Sequence, residues 1–145
     1  MRLWHYKLLP YLPGAQFKGQ LRELVAIMHD WRDKGKTNHL LINKVMEFTP
    51  RNLTAYFLIY EEEYCKRYGK RINNKVVSEF TVFAKETKLY CEPFKGWHCR
   101  EYLRVCMANL YEKHFFGVGK SRITDEEWET LCRGYKEITG EEYVI

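Results

Sequence analysis

Two groups near the start of the chain have the reactivity that imine chemistry requires: the α-amine of Met1 and the carboxylate of Glu23. An α-amine titrates near about 7.7–8.0, whereas a lysine side chain titrates near about 10.4, so a useful fraction of the amine is neutral and nucleophilic at neutral pH. We expect no leader before this amine. Because Arg2 is too large for ordinary removal of the initiator methionine, we also expect Met1 to be retained.

A neutral amine and a nearby carboxylate make a sensible pair for a Schiff-base lyase. The amine attacks C1′ of a deoxyribose, displacing a base or condensing with an opened abasic sugar. The carboxylate stabilises the cationic intermediate and helps to remove the 2′ proton. Arg2 and Arg22 flank the two groups, where cations would hold phosphates and lower the pKa of the amine by repulsion. Spacing alone favours the simpler interpretation that Glu23 is a solvated helix residue.

The element that must position Glu23 is a helix predicted over residues 15–31. At about 100° per residue, one face carries an ordinary core stripe, made of Phe17, Leu21, Leu24, Val25 and Met28. The opposite face carries a polar column, made of Gln16, Gly19, Gln20 and Glu23. Glycine in that column would let another chain approach closely. We therefore expect Glu23 to lie outside the core, with Gln16 and Gln20 as DNA contacts.

The remaining signals predict an all-α fold: a compact, single-domain helical bundle over residues 1–145 with an extended N-terminal arm. The proline-bounded arm is Leu8–Gly14, because residues before proline avoid the helical conformation. The other predicted helices span residues 40–47, 49–69, 74–87, 97–115 and 124–140. The helix after Thr49-Pro50 begins with a strong start signal, and Thr124 with Glu127 predicts a capping box.

Composition narrows the class of protein further. Lys and Arg number 24 against 19 acidic residues, and the net charge of +5 mildly favours polyanionic partners. No apolar run approaches the roughly 18 residues of a membrane span. Five cysteines without a CxxC pair are typical of free thiols in a reducing compartment, and their spacing matches no common zinc pattern. We expect a cytoplasmic monomer in a bacterial or phage-infected cell, with no membrane contact, metal or cofactor.

Several segments together resemble the pyrimidine-dimer DNA glycosylase/AP lyase family, the phage UV-endonuclease type often called endonuclease V. The resemblance rests on residues 1–5, 8–13, 20–24, 37–43, 63–69, 102–104 and 124–128. It extends across most of the chain and is strongest in the first 45 residues. The resemblance implies an all-α fold, no metal, and damaged double-stranded DNA as partner. It also implies that the amine of Met1 is the nucleophile, Glu23 the essential carboxylate, and Arg2 and Arg22 phosphate and lesion contacts.

The resemblance implies action on cyclobutane pyrimidine dimers, yet one departure bears on the substrate. The best-studied family member has a basic residue one turn after the glutamate, where this chain has Ala26. Another damaged or modified base is therefore the nearest variant of the substrate. The sequence also leaves open a non-catalytic DNA-binding relative of the same fold and a helical protein–protein adaptor. His5 and His39 are secondary candidates for contacting DNA or tuning the amine, although a lone histidine is more often structural.

Overall fold

The structure is a computed structural model that describes residues 2–145; Met1 lies outside the described residues. The described chain contains no strand, and the all-α prediction is confirmed. Its five α-helices are α1 (Gly14–Lys34), α2 (Pro50–Tyr68), α3 (Asn74–Ala84), α4 (Arg100–Phe115) and α5 (Asp125–Thr139). Short 3-10 helices span Tyr6–Tyr11, Ile42–Glu47 and Gly119–Ser121. Within residues 2–145, no helix is long and apolar enough to cross a membrane.

The helix boundaries follow the start and stop signals of the sequence. α2 begins with Pro50 in its first turn, where a missing N–H costs nothing, and ends at Gly69, which has φ +66°. The predicted capping box of α5 is present. Thr124 Oγ1 accepts a hydrogen bond from the Glu127 N–H, while the Glu127 carboxylate accepts one from the Thr124 N–H. These local signals fix where the long helices begin and end.

The predicted extended arm at Leu8–Gly14 is wrong. Residues Tyr6–Tyr11 form a 3-10 helix that contains Pro10. His5 caps this helix, because its Nδ1 accepts a hydrogen bond from the Lys7 N–H over 3.1 Å. Leu8 is fully buried, as is Leu9. Burial of the two leucines favours the compact form over the extended form that proline chemistry predicts.

Several further boundaries differ from the prediction. α1 ends at Lys34 and not near residue 31, and the helix predicted over residues 40–47 is a 3-10 helix that begins at Ile42. α3 ends at Ala84 and not near residue 87, because Lys85 adopts a left-handed conformation with φ +55°. α4 begins at Arg100 and not near residue 97, because a turn precedes it. That turn contains Phe94 at φ +56°, and its N–H donates to Asn52 Oδ1 over 2.9 Å.

Stacked aromatic rings form the centre of the core. Phe57 in α2 lies parallel to Phe80 in α3 with ring centroids 4.1 Å apart. Phe17 in α1 stacks on Tyr60 in α2 at 4.3 Å, and the Tyr60 hydroxyl donates to the Phe17 carbonyl oxygen over 2.7 Å. All four rings are fully buried. They pack α1, α2 and α3 together through the face of α1 that carries Phe17, opposite the face on which Glu23 lies.

Gly134 in α5 packs directly against the 3-10 helix at the start of the chain. A Cβ atom at this position would lie 2.6 Å from Tyr11 Cδ2, which is well inside contact distance. Gly134 is buried, and Tyr11 is half-buried. The Tyr11 hydroxyl also donates to the Glu137 carboxylate, so the ring cannot turn away without losing that bond. The close approach of the two elements therefore requires glycine.

We predict that Gly134→Ala lowers the free energy of unfolding by about 1–3 kcal/mol, because it overpacks a tight contact. Urea denaturation followed by circular dichroism measures the change. Gly14→Ala is the matched control, because a Cβ at Gly14 meets nothing within 4 Å. Equal stability of the two variants would contradict this account of the contact.

Candidate active site

The N-terminal segment, defined as Arg2–His5, has no regular secondary structure and brings its first nitrogen to Glu23. The Arg2 backbone N–H donates a hydrogen bond to Glu23 Oε2 over 2.8 Å. Glu23 is half-buried, and its Oε1 accepts no hydrogen bond from residues 2–145. The amine of Met1 lies outside the described residues. The carboxylate singled out from the sequence thus binds the peptide nitrogen that follows Met1.

Gln20 in α1 binds the N-terminal segment with both ends of its side-chain amide. Its Nε2 donates to the Arg2 carbonyl oxygen over 2.8 Å, and its Oε1 accepts from the Trp4 N–H over 2.8 Å. Gln20 is only 1% exposed. Because it lies one helical turn before Glu23, this pair of bonds aligns the segment along α1 and sets Arg2 beside the carboxylate.

Tyrosines from two other helices bind carbonyl oxygens of the segment. The Tyr56 hydroxyl in α2 donates to the Trp4 carbonyl oxygen over 2.6 Å, and the Tyr102 hydroxyl in α4 donates to the Leu3 carbonyl oxygen. Burial raises the pKa of both phenols, so both keep the proton that they donate. Buried backbone groups require partners, and these bonds supply them to Leu3 and Trp4, which are themselves buried.

His5 ends the segment in a buried cluster with His98 and Cys106. The His5 N–H donates to Cys106 Sγ over 3.4 Å, and His5 Nε2 bonds the His98 carbonyl oxygen over 2.9 Å. Burial lowers the pKa of His5 to about 4 and raises that of Cys106 to about 11. Burial, together with the nearby His5, lowers the pKa of His98 well below its usual value. At neutral pH the cluster is therefore uncharged.

The polar column of α1 is not open in the way that the helix periodicity indicates. Gln16 is 8% exposed and Gln20 is 1% exposed, because the N-terminal segment and the loop at Ser121 cover this face. Gln16 Nε2 donates to the Ser121 carbonyl oxygen over 2.9 Å. Its Oε1 is buried and has no hydrogen-bond partner within residues 2–145. Contact of either glutamine with DNA stays a prediction.

Glu23 faces a cavity of about 250 Å³, called here the Glu23 cavity. Its lining is polar and small, and consists of Arg2, Trp4, Ala15, Gln16, Gly19, Glu23, Lys113 and Ser121. Among the described residues, neither Arg2 nor Lys113 forms an ion pair. The Arg2 guanidinium instead lies 5.5 Å from the centroid of the Trp4 ring. A cavity that contains one carboxylate and two unpaired cations suits a ligand that carries anionic groups next to its reacting atoms.

A second cavity of about 500 Å³, called here the Trp97 pocket, also includes Arg2 and Trp4 in its lining. Apolar and aromatic side chains dominate it, among them Ile42, Trp97 and Tyr102. The N-terminal segment therefore borders two cavities of different character, one small and charged and one larger and apolar.

Arg22 lies beside the Glu23 cavity and not in its lining. Its side chain is exposed, and Nη2 lies 3.7 Å from the position that a Cβ on Gly19 would occupy. Arg22 also lines a groove of about 340 Å³ between α1 and α2 with Lys18 and Tyr68. The Lys18 ammonium lies 5.8 Å from the centroid of the Tyr68 ring. This groove adjoins the cavity across Gly19, which lines the Glu23 cavity.

His39 lies apart from the other predicted site residues. Its side chain is exposed in the connection between α1 and the 3-10 helix at Ile42–Glu47. It lines neither the Glu23 cavity nor the Trp97 pocket. The backbone N–H of His39 bonds Thr37 Oγ1 over 3.1 Å, which shapes the loop. A role for His39 in DNA binding stays a prediction.

Comparison with known families decides the affiliation of the chain. A family model described as pyrimidine dimer DNA glycosylase matches residues 1–76, slightly more than half of the 145 residues. The chain belongs to the pyrimidine dimer DNA glycosylase family. As a member of this family, the chain is a DNA glycosylase and a DNA-binding protein. The comparisons with curated proteins and with solved structures gave no significant match.

The matched range of the glycosylase family contains Arg2, Gln20, Glu23 and Tyr56 but ends before α4. The resembling segments at 102–104 and 124–128 lie outside it. Nevertheless, the second half of the chain contributes Tyr102 to the N-terminal segment and lining residues at 113 and 121 to the Glu23 cavity.

Sequence reasoning missed the residues that complete the site from a distance. Lys113 and Ser121 line the Glu23 cavity, yet they are about 90 or more positions from Glu23 in the chain. No spacing pattern in the sequence links Lys113 or Ser121 to Glu23. Tyr102 alone carried a signal, because it begins one of the segments that resemble the glycosylase family.

The buried His5 predicts a loss of stability in mild acid. Its pKa falls from 6.5 to about 4 on folding. Between these values the unfolded chain binds more protons, so the free energy of unfolding decreases as pH falls from 6.5 towards 4. We predict that His5→Asn, which keeps an acceptor for the Lys7 N–H, flattens this dependence in urea titrations. The control variant His39→Asn, at an exposed position, should retain the wild-type dependence. Identical profiles for the wild type and both variants would contradict the assignment of this dependence to His5.

Proposed function

We propose that the protein is a DNA glycosylase with AP lyase activity that acts on cyclobutane pyrimidine dimers through an imine to Met1. The observation that carries the proposal is the hydrogen bond of 2.8 Å between the Arg2 N–H and Glu23 Oε2. It links the carboxylate to the backbone atom next to Met1. Membership in the pyrimidine dimer DNA glycosylase family supports the substrate class.

Covalent geometry supports the pairing of amine and carboxylate. Three bonds separate the amine nitrogen of Met1 from the Arg2 nitrogen, so the two atoms are at most about 4 Å apart in any conformation. The Arg2 nitrogen lies 2.8 Å from Glu23 Oε2. One deoxyribose can therefore reach both groups, with its C1′ towards the amine and its C2′ towards the carboxylate.

The proposed reaction proceeds through a covalent intermediate. The neutral amine attacks C1′, the glycosidic bond breaks, and the base leaves with the bonding electrons. The nitrogen then loses a proton, its lone pair breaks the C1′–O4′ bond, and O4′ takes up a proton, which leaves a cationic imine between C1′ and the Met1 nitrogen. Glu23 then removes a proton from C2′, and β-elimination expels the 3′ phosphate. Water then hydrolyses the imine and releases the enzyme. The reaction as written consumes only water and needs no metal or redox partner.

Unpaired cations support DNA as the substrate. Arg2 and Lys113 line the Glu23 cavity, and Arg22 lies beside it across Gly19. Within residues 2–145 none of the three cations pairs with a carboxylate, whereas Arg32, Arg67 and Arg100 elsewhere do. Cations left free around a reacting carboxylate are suited to the phosphates on both sides of the target sugar.

We predict that Glu23→Gln lowers the rate of strand cleavage at an abasic site by about 100-fold or more. Glutamine retains an acceptor for the Arg2 N–H but cannot remove the 2′ proton. Single-turnover gel assays measure the rate, and fluorescence anisotropy measures binding, which should be nearly unchanged. Glu129→Gln, at an exposed position of α5, is the control and should cleave at the wild-type rate. Normal cleavage by Glu23→Gln would exclude this carboxylate as the base.

A second prediction concerns the amine itself. Borohydride reduction should trap the native protein on a duplex with an abasic site and on one with a cyclobutane dimer, and peptide mapping should place the adduct on Met1. An N-terminal extension should abolish both adducts, whereas the same extension after Ile145 should be harmless. An adduct on the abasic duplex alone would retain the lyase but exclude dimers. Normal trapping of the N-terminally extended protein would refute the amine as nucleophile.

A further inference from the structure

An exposed apolar tip lies next to the Glu23 cavity. The tip, defined as Phe115–Val118, begins at the last residue of α4. Phe115 is 65% exposed, Phe116 73% and Val118 81%. Lys113 precedes the tip and Ser121 follows it, and both residues line the Glu23 cavity. The tip is therefore a projection at the edge of the proposed reaction site.

The tip is held in a fixed shape. Gly117 packs so closely that a Cβ there would overlap the Lys113 carbonyl oxygen. The Ile123 N–H donates to the same oxygen over 3.2 Å, and the Ile123 side chain is fully buried. The Phe115 and Phe116 rings contact each other edge to face, with centroids 4.8 Å apart. The base of the turn is thus closely packed, while the two rings that it carries remain exposed to solvent.

The surrounding charge indicates which partner covers the tip. Lys113, Lys120 and Arg122 flank it, and none of them pairs with a carboxylate within the described residues. A protein partner that buried three unpaired cations would need matching carboxylates in register. Duplex DNA offers phosphates on both sides of a base step and apolar base faces between them. Because Lys113 and Ser121 line the Glu23 cavity, a duplex bound on the tip lies next to that cavity.

We infer that the Phe115–Val118 tip is a wedge that enters the base stack of duplex DNA beside the target nucleotide. The inference rests on the proposed function and deepens it. Apolar side chains inserted between base steps unstack them and kink the duplex. Unstacking frees the target sugar to turn its C1′ towards the Glu23 cavity, while Lys113, Lys120 and Arg122 hold the neighbouring phosphates. The wedge matters for a stacked duplex and not for a single strand.

A binding experiment tests the wedge without the chemistry. The duplex contains a tetrahydrofuran analogue of an abasic site, which cannot form an imine, and 2-aminopurine as the neighbouring base. The wild-type protein should raise the 2-aminopurine fluorescence several-fold at saturation. The double variant F115A/F116A should bind, by anisotropy, but leave the fluorescence near that of free DNA. Tyr90→Ala removes an equally exposed ring elsewhere and should behave as the wild type.

A kinetic experiment separates this inference from the proposed function. Borohydride trapping is compared on an abasic duplex and on the same strand alone. F115A/F116A should slow trapping on the duplex by about tenfold or more and change the single-strand rate less than about twofold. The variant F115A/F116L, which keeps an apolar side chain at position 116, should recover much of the duplex rate. Equal losses on both substrates, no loss on either, or a wild-type fluorescence response in the variant would overturn the wedge. Absence of any wild-type adduct would refute the proposed chemistry, and the fluorescence experiment would still decide the wedge.

Discussion

The site depends on one constraint: the backbone of the buried N-terminal segment has to find its hydrogen-bond partners among side chains. No strand lies beside it within residues 2–145. Gln20, Tyr56 and Tyr102 supply those partners from three helices. Each bond is modest by itself, but loss of one leaves a buried peptide group unsatisfied, which costs more than the bond contributes. These bonds hold the segment in the position from which the Arg2 N–H reaches Glu23.

The charge distribution follows from the same arrangement. The groups that hold Leu3, Trp4 and His5 are neutral: an amide, two phenols, a thiol and an imidazole, all of them buried except the partly buried Tyr102 phenol. Burial keeps the His5 imidazole and the Cys106 thiol uncharged at neutral pH. The charged side chains near the segment therefore lie towards the Glu23 cavity. There, Arg2 and Lys113 form no ion pair among the described residues. A neutral scaffold behind a charged cavity leaves the cations for a ligand.

Local chemistry predicted much of the fold and part of the site. Caps and left-handed glycines marked the ends of α2 and α5, because those signals act within a few residues. The 3-10 helix around Pro10 was not predicted, because its stability comes from burial of Leu8 and Leu9 against distant elements. The burial of Gln20 was missed for the same reason. A helical wheel shows which residues share a face, but it does not show that the chain itself returns to cover that face.

The long reach of these hydrogen bonds has a consequence for the order of folding. Tyr56 and Tyr102 lie 52 and 99 positions from the residues they bind. Contacts so distant in sequence close late, because the intervening chain must first be ordered. A chain synthesised from its amino end therefore exposes its first residues long before α4 exists to receive them. The segment Arg2–His5 is therefore made early and placed late, after the residues of α4 that bind it have been synthesised.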